Sequence, residues 1–179
     1  EEIGWPVIVK PSGGGGGIGM RFARDREELQ KAIRHACVRG ERAFGISTFY
    51  IEKFLTGVKH IEFQVLADRT GNVITIGDRD CSIQRRFQKL IEETPCPELP
   101  YLLRMKMGIA AAEIAMAIRC DSLMTVEFLY CLDSREFFFN EVNCRLQVEH
   151  GITELATGID IVKEQIRIAA GEPLNYSQE

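Results

Sequence analysis

The densest run of chemically capable side chains is Glu141-Val142-Asn143-Cys144-Arg145-Leu146-Gln147-Val148-Glu149-His150. Its odd positions are polar or charged and its even positions from Val142 to Val148 are apolar, the period of two that an extended backbone with one buried face requires. On that reading Glu141, Asn143, Arg145, Gln147 and Glu149 project to one side. Two carboxylates, a guanidinium and two amides in a row are more than a solvated strand edge needs. The pattern points to a reaction centre, with an ordinary half-buried strand as the plain alternative.

A carboxylate pair is implied next to it. The apolar runs 125–131 and 136–142 flank Asp133-Ser134-Arg135, and a hairpin with its turn centred on Ser134 sets Glu127 opposite Glu141. Like charges opposite one another destabilise a sheet, so either one carboxyl stays protonated or something cationic sits between them. A hard cation held by carboxylate and phosphate oxygens, commonly Mg²⁺, is the simplest resolution. Asn143, on the same face, adds a neutral oxygen. A register one residue away would instead splay the pair into solvent.

The elements that must position these groups can be followed from the start of the chain. Trp5 to Lys10 reads as a buried strand ending in a lysine, and the loop 11–20 that follows contains six glycines. Such a run can adopt backbone angles closed to other residues and bring N–H groups close to an anion. No G-K-[ST] ending follows, and Met20 to Arg24 looks extended, which argues against a P-loop and a Rossmann turn. Strand, glycine loop, strand describes a flap over phosphates; a flexible linker is the alternative. Asp25 and Glu28 open a helix with a capping box, Leu29, Ala32, Ile33, Ala36 and Cys37 form its apolar face, and Gly40 is placed to end it. Residues 47–55 read as a strand, with its last residues as a connection.

After Thr56-Gly57, residues 59–68 alternate as a strand, and a turn at 70–72 leads to a second strand over 73–76. The run 78–89 is dense with donors. It reads either as a charged loop exposed to water or as a loop whose Arg85, Arg86 and Lys89 line an anion channel. Pro95, Pro97 and Pro100 bracket a turn before a helix over about 101–119, apolar enough to be largely buried. A last helix runs over 160–170, capped by Asp160 and closed by Gly171.

The 179 residues allow one domain or two small ones, and 45% hydrophobic with 27% charged residues is a globular composition. A formal net charge of -4 makes nucleic acid a poor partner. No apolar run reaches a membrane span, and no signal peptide is visible. A cytoplasmic protein with no membrane partner is expected, though a mitochondrial origin stays open for a piece of a longer chain, which the abrupt start suggests. The cysteines at 37, 81, 96, 120, 131 and 144 form no C-x-x-C pair and read as reduced core thiols.

Taken together, Val9-Lys10 with the glycine flap and Gly19-Met20-Arg21, Glu52-Lys53, the segment 60–65, the segment 79–86, Gln88-Lys89, Glu127-Phe128 and 141–150 resemble the ATP-grasp core of biotin carboxylase, the component shared by acetyl-CoA, propionyl-CoA and pyruvate carboxylases. The resemblance implies an α+β ATP-grasp fold: a small glycine-flap B subdomain over residues 1–54, and over 55–179 the first part of a C subdomain in which helices pack on an antiparallel sheet. It implies ATP-dependent carboxylation of biotin by bicarbonate, with Mg²⁺ or Mn²⁺. Lys10, Gly15, Gly16, Gly17, Gly19 and Met20 would then hold the phosphates, Glu52, Lys53 and Leu55 the adenine, with His60 and Gln84 near the nucleotide. Glu127, Glu141 and Asn143 would form the metal shell that bridges the phosphates. Glu149 would be the general base for bicarbonate, Lys89, Arg145, Gln147 and the Val148 amide would hold the anion, and Arg145 would stabilise the biotin enolate.

Three positions depart from the family pattern: Ile18 stands for a basic residue, Phe87 for histidine and Gly151 for proline. The implied partners are a biotin carboxyl carrier protein or domain, a carboxyltransferase, and further N- and C-terminal parts of the same enzyme, without which little turnover is expected. The alternatives are another ATP-grasp ligase that forms an acyl phosphate, or a non-catalytic nucleotide-binding module.

Overall fold

The computed structural model describes residues 3–13 and 19–178, the side chain of Phe44 excepted. The chain divides into two compact units, Glu1–Thr56 with Gln84–Gln88, and Gly57–Ile83 with Lys89–Glu179. Helices and antiparallel sheets make up both, the α+β class expected from the sequence.

The first unit holds a three-stranded sheet of order β2-β1-β3, from β1 (Val7–Pro11), β2 (Arg21–Ala23) and β3 (Phe49–Lys53). Helix α1 (Arg26–Phe44) lays Ala32 and Ala36 against Val7, Val9 and Ala23. Asp25 caps α1 by accepting from the Glu28 amide at 2.9 Å, while the Glu28 carboxylate reaches back to the Arg24 amide at 2.8 Å, one residue short of a capping box. Gly40 does not end the helix. It lies inside it because a Cβ there would stand 2.4 Å from the Ile46 carbonyl oxygen, and Gly45, at φ 67°, terminates the helix instead.

The second unit is built on a five-stranded antiparallel sheet of order β6-β5-β4-β7-β8. Its strands are β4 (Val58–Ala67), β5 (Val73–Arg85), β6 (Gln88–Glu93), β7 (Leu123–Cys131) and β8 (Phe137–Asn143). On one face Ile61, Phe63, Val65, Met124, Val126 and Phe128 meet Met107, Ala111 and Ala115 of α2 (Tyr101–Ala117). The opposite face carries α4 (Ile161–Ala169), where Ile161 and Ile168 pack on Leu66, Ile74 and Leu123. A short helix not anticipated from the sequence, α3 (His150–Thr157), precedes it.

Two expectations change here. Residues 78–85 are not a loop but the second half of a thirteen-residue strand, because Asp78, Arg79 and Asp80, all buried, each find a partner of opposite charge from elsewhere in the chain. Helix α2 is not largely buried: it touches one sheet face only, so Leu102, Ile109 and Met116 on its far side stay exposed.

A bulge in β5 decides which way its charges point. Val65 pairs with Thr75 but Phe63 pairs with Asp78, so β5 carries one extra residue around Gly77, which sits at φ 108°. Without it Asp78 would join Ile74 and Ile76 on the α4 side and Arg79 would turn toward α2. With it Arg79 reaches the α4 side opposite Glu62, and Asp78 turns to α2, where it accepts from Arg104 at 2.7 Å. A Cβ at Gly77 would meet nothing within 4 Å, so the need for glycine is conformational. Gly77→Ala is expected to cost about 1–2 kcal/mol of stability in urea denaturation. An unchanged midpoint would show that the bulge accepts an L side chain without strain.

Candidate functional site

Strand register assembles the site. Arg79 of β5 pairs with Glu62 of β4, Glu62 with Glu127 of β7, and Glu127 with Glu141 of β8. One row across four strands therefore reads cation, carboxylate, carboxylate, carboxylate. The next row is Gln64, Thr125, Asn143. The pairing of Glu127 with Glu141 is the one expected, but it depends on a second bulge. Phe128 pairs with Phe139, so a regular ladder would bring Asn140 opposite Glu127; the extra residue brings Glu141 there instead and keeps Asn143 on the same face.

Like charges side by side need compensation, and Lys89 supplies it for Glu62 and Glu127. From the start of β6 its ammonium contacts Glu62, Glu127 at 3.0 Å and Glu149 at 2.7 Å. Burial alone would lower the pKa of Lys89; the charges of Glu62 and Glu127 and the hydrogen bond to Glu149 more than reverse it, so the ammonium stays charged. Burial would also raise the Glu149 carboxyl, yet the hydrogen bond and charge of Lys89 hold it below its ordinary value. Glu149 sits just ahead of α3 as its N-cap residue.

Glu127 is held from several sides. His60 Nε2 lies 2.6 Å from its Oε2, and its Oε1 accepts from Asn143 at 2.9 Å and Gln147 at 3.3 Å besides Lys89. Burial raises its pKa, but the His60 hydrogen bond and charge, with the Lys89 charge, bring it down to about 2 from 4.5. A folded-state value below the unfolded one contributes stability that is fully present above the unfolded pKa and is lost as pH falls through the folded pKa. Urea midpoints should therefore drop between about pH 4.5 and about pH 2, and drop less in Glu127→Gln. Equal slopes for the two proteins would show that the carboxylate is not held in this way.

The stretch 141–150 differs from its sequence reading. β8 ends at Asn143, where it pairs with Thr125, and the following residues leave the sheet as a loop into α3. The side chains of Gln147 and Val148 then exchange the environments expected of them: Gln147 is 4% exposed and Val148 96%. The cause is Arg79, which draws the Gln147 amide oxygen inward at 2.9 Å. Arg145 is exposed, donating to the Leu146 carbonyl at 3.2 Å and to Asn143 Oδ1 at 3.4 Å.

Lys89, Glu127, Asn143, Gln147, Glu149 and His60 thus form one hydrogen-bonded cluster, with Glu141 in the adjoining sheet position. Glu62 and Arg79 complete it, and neither was singled out from the sequence. The signal was present for Glu62, which shares the parity of His60 and Gln64 along β4, but not for Arg79, whose facing depends on the bulge. Cys81 is buried beside them; burial, then the Glu62 charge, push its thiol far above neutrality. Cys81 and Cys96 are buried and Cys144 is exposed, and all six cysteines are free.

The other sequence candidates lie in the first unit or at its end. Lys10 on β1 pairs with Glu52 on β3 at 2.5 Å, and Lys53 donates to the Trp5 carbonyl at 2.6 Å. Gly19, at φ 81°, and Met20 precede β2, Leu55 follows β3, and Gln84 is near the end of β5. Gly15, Gly16, Gly17 and Ile18 lie outside the described residues. Phe87 and Arg86 form the β5–β6 turn, both at positive φ.

The donor set of Glu127, Glu141 and Asn143 fits a hard divalent cation: two carboxylates face each other across β7 and β8 and an amide stands in the next row. His60, Glu62 and Glu127 also bring one ligand atom each within 4.8 Å of one another, but there the Lys89 ammonium already contacts both carboxylates and Arg79 pairs with Glu62. No helix among the described residues is long and apolar enough to cross a membrane.

Comparison with known proteins places this geometry among relatives. Residues 1–177 match the family profile described as carbamoyl-phosphate synthase L chain, ATP binding domain. The chain is 53% identical over 179 residues to a pyruvate carboxylase subunit of Methanothermobacter thermautotrophicus and 49% identical to biotin carboxylase 1 of Bacillus subtilis, spanning 36% and 40% of their lengths. Among solved structures, the biotin carboxylase domain of Hydrogenobacter thermophilus 2-oxoglutarate carboxylase, in complex with MgADP, ADP and bicarbonate, superposes with a TM-score of 0.94 at 49% identity; 99% of the chain aligns, with 39% of that one.

Proposed function

We propose, for a chain that belongs to the carbamoyl-phosphate synthase L chain ATP-binding domain family, that it is part of the biotin carboxylase component of a biotin-dependent carboxylase. Its fold is the α+β ATP-grasp fold of its solved relatives. On this reading residues 1–54 are the B subdomain with its glycine flap and 55–179 the first part of the C subdomain. The observation that carries the reading is the Lys89 ammonium bound to Glu149, Glu127 and Glu62, with the buried Gln147 amide beside it.

The residues suit each step. Lys89 and the Gln147 NH₂ hold the bicarbonate anion, assisted by Arg145 and the Val148 amide. Glu149, kept ionised by Lys89, accepts the bicarbonate proton; the freed oxygen attacks the γ-phosphorus of ATP, the bond to ADP breaks, and carboxyphosphate forms. Glu127, Glu141 and Asn143 hold Mg²⁺ or Mn²⁺, which when bound neutralises phosphate charge. Lys10, Gly15, Gly16, Gly17, Gly19 and Met20 cover the phosphates, Glu52, Lys53 and Leu55 border the adenine, and His60 and Gln84 flank the nucleotide. Arg145, which is exposed, steadies the biotin enolate that takes up the carboxyl group, a role that a bidentate guanidinium suits.

The partners of such a component are a biotin carboxyl carrier protein or domain, a carboxyltransferase, and the remainder of the same enzyme, working in the cytoplasm. A carboxylase containing this segment is expected to release ADP only with bicarbonate present and to carboxylate free biotin, whereas the 179-residue chain alone has little turnover. ADP release driven by another carboxylic acid, with no carboxybiotin, would instead identify a ligase that forms an acyl phosphate.

A further inference from the structure

We propose that Arg79 is a positioning residue that orients the Gln147 carboxamide and the Glu62–Lys89 pair, and thereby makes the buried side of the anion seat present N–H groups to bicarbonate. The proposal rests on the functional reading above. Arg79 is fully buried, and each of its five N–H donors has an acceptor. Nε donates to Glu62 Oε1 at 2.6 Å. Nη1 donates to Gln64 Oε1 at 3.1 Å and Thr153 Oγ1 at 2.8 Å, and Nη2 to Gln147 Oε1 at 2.9 Å and Thr125 Oγ1 at 3.5 Å.

A guanidinium has no acceptor, so the Gln147 atom facing it must be the oxygen. The amide nitrogen is then turned the other way, toward Glu127 Oε1 at 3.3 Å. A flipped amide would set NH₂ against guanidinium and oxygen against carboxylate, two repulsive contacts in place of two hydrogen bonds. The same logic divides Glu62: with Oε1 taken by Arg79, Oε2 is left for Lys89. One buried cation thus fixes the Gln147 carboxamide directly and the Lys89 ammonium through Glu62.

Arg79→Lys tests this, because lysine keeps a positive charge for Glu62 but cannot fork to Gln147. In the 179-residue chain, NMR of the Gln147 side-chain amide should show one slowly exchanging proton pair, whose exchange quickens by about tenfold or more in the variant. In a carboxylase containing the segment, KM for bicarbonate should rise by about tenfold while KM for MgATP stays within about twofold. The combination with Gln147→Ala should be no worse than Gln147→Ala alone. Unchanged amide exchange, a parallel rise in both KM values, or additive effects would overturn the proposal.

Gln147→Glu covers the case in which Arg79→Lys does not fold. It keeps an acceptor for Arg79 but replaces the inward NH₂ by oxygen, and the same selective rise in KM for bicarbonate is expected; an unchanged value would overturn the proposal. If the unaltered carboxylase shows no bicarbonate dependence, the functional reading has failed, and the amide exchange of the chain decides the role of Arg79 by itself.

Discussion

Replacing Glu149 by glutamine in a carboxylase containing this segment is expected to lower bicarbonate-dependent ATP cleavage by about 10²–10⁴-fold, the usual contribution of a general base. Glutamine is close in size and still accepts from Lys89, so the change removes the proton acceptor and little else. Burial disfavours the Glu149 carboxylate, and the Lys89 ammonium at 2.7 Å outweighs burial, so the group is ionised at neutral pH and ready to take a proton. MgATP affinity, followed by calorimetry, should stay within about twofold, as for a group that acts on the transition state. A parallel loss of MgATP binding would remove Glu149 from the role of base.

Lys89→Met is the change with the largest expected effect on stability. It withdraws the only cation shared by Glu62, Glu127 and Glu149 among the described residues and leaves three carboxylates together, Glu62 fully buried and Glu127 2% exposed. Breaking one partner out of a buried ion pair costs about 3–5 kcal/mol. Because Arg79 and His60 still face two of the three, the lower end of that range is expected, a fall in Tm on the order of 10 °C. The loss should shrink as pH is lowered toward about 4, where the uncompensated carboxyls take up protons. A variant as stable as the parent at pH 7 would show that the three carboxylates do not depend on this ammonium.

Much of the site was legible because it depends on short-range pattern. Two apolar runs around a three-residue turn were enough to pair Glu127 with Glu141, and Asp25 and Asp160 capped the helices they were expected to cap. What escaped was set by contacts distant in sequence. The run Asp78-Arg79-Asp80 looks like a solvated loop until Arg104, Glu62 and Lys59 are brought to it. Gln147 looks like the solvent-facing partner of a buried Val148 until Arg79 reverses the two. Gly40 looks like a helix terminator because the close approach of the Ile46 carbonyl cannot be read from a single sequence.

The two bulges also bear on how the length of the chain can vary between relatives. Removing Gly77, or the extra residue at 140, restores a regular ladder in which Arg79 still pairs with Glu62 and Glu141 still pairs with Glu127, so a one-residue gap there leaves every site group on its own face. A gap of the same size at Val142 would turn Asn143 away from Glu141. Alignment gaps in homologous chains should therefore be tolerated at positions 77 and 140 and be rare at position 142, a difference between 140 and 142 set by the parity of the strand rather than by the chemistry of the side chains.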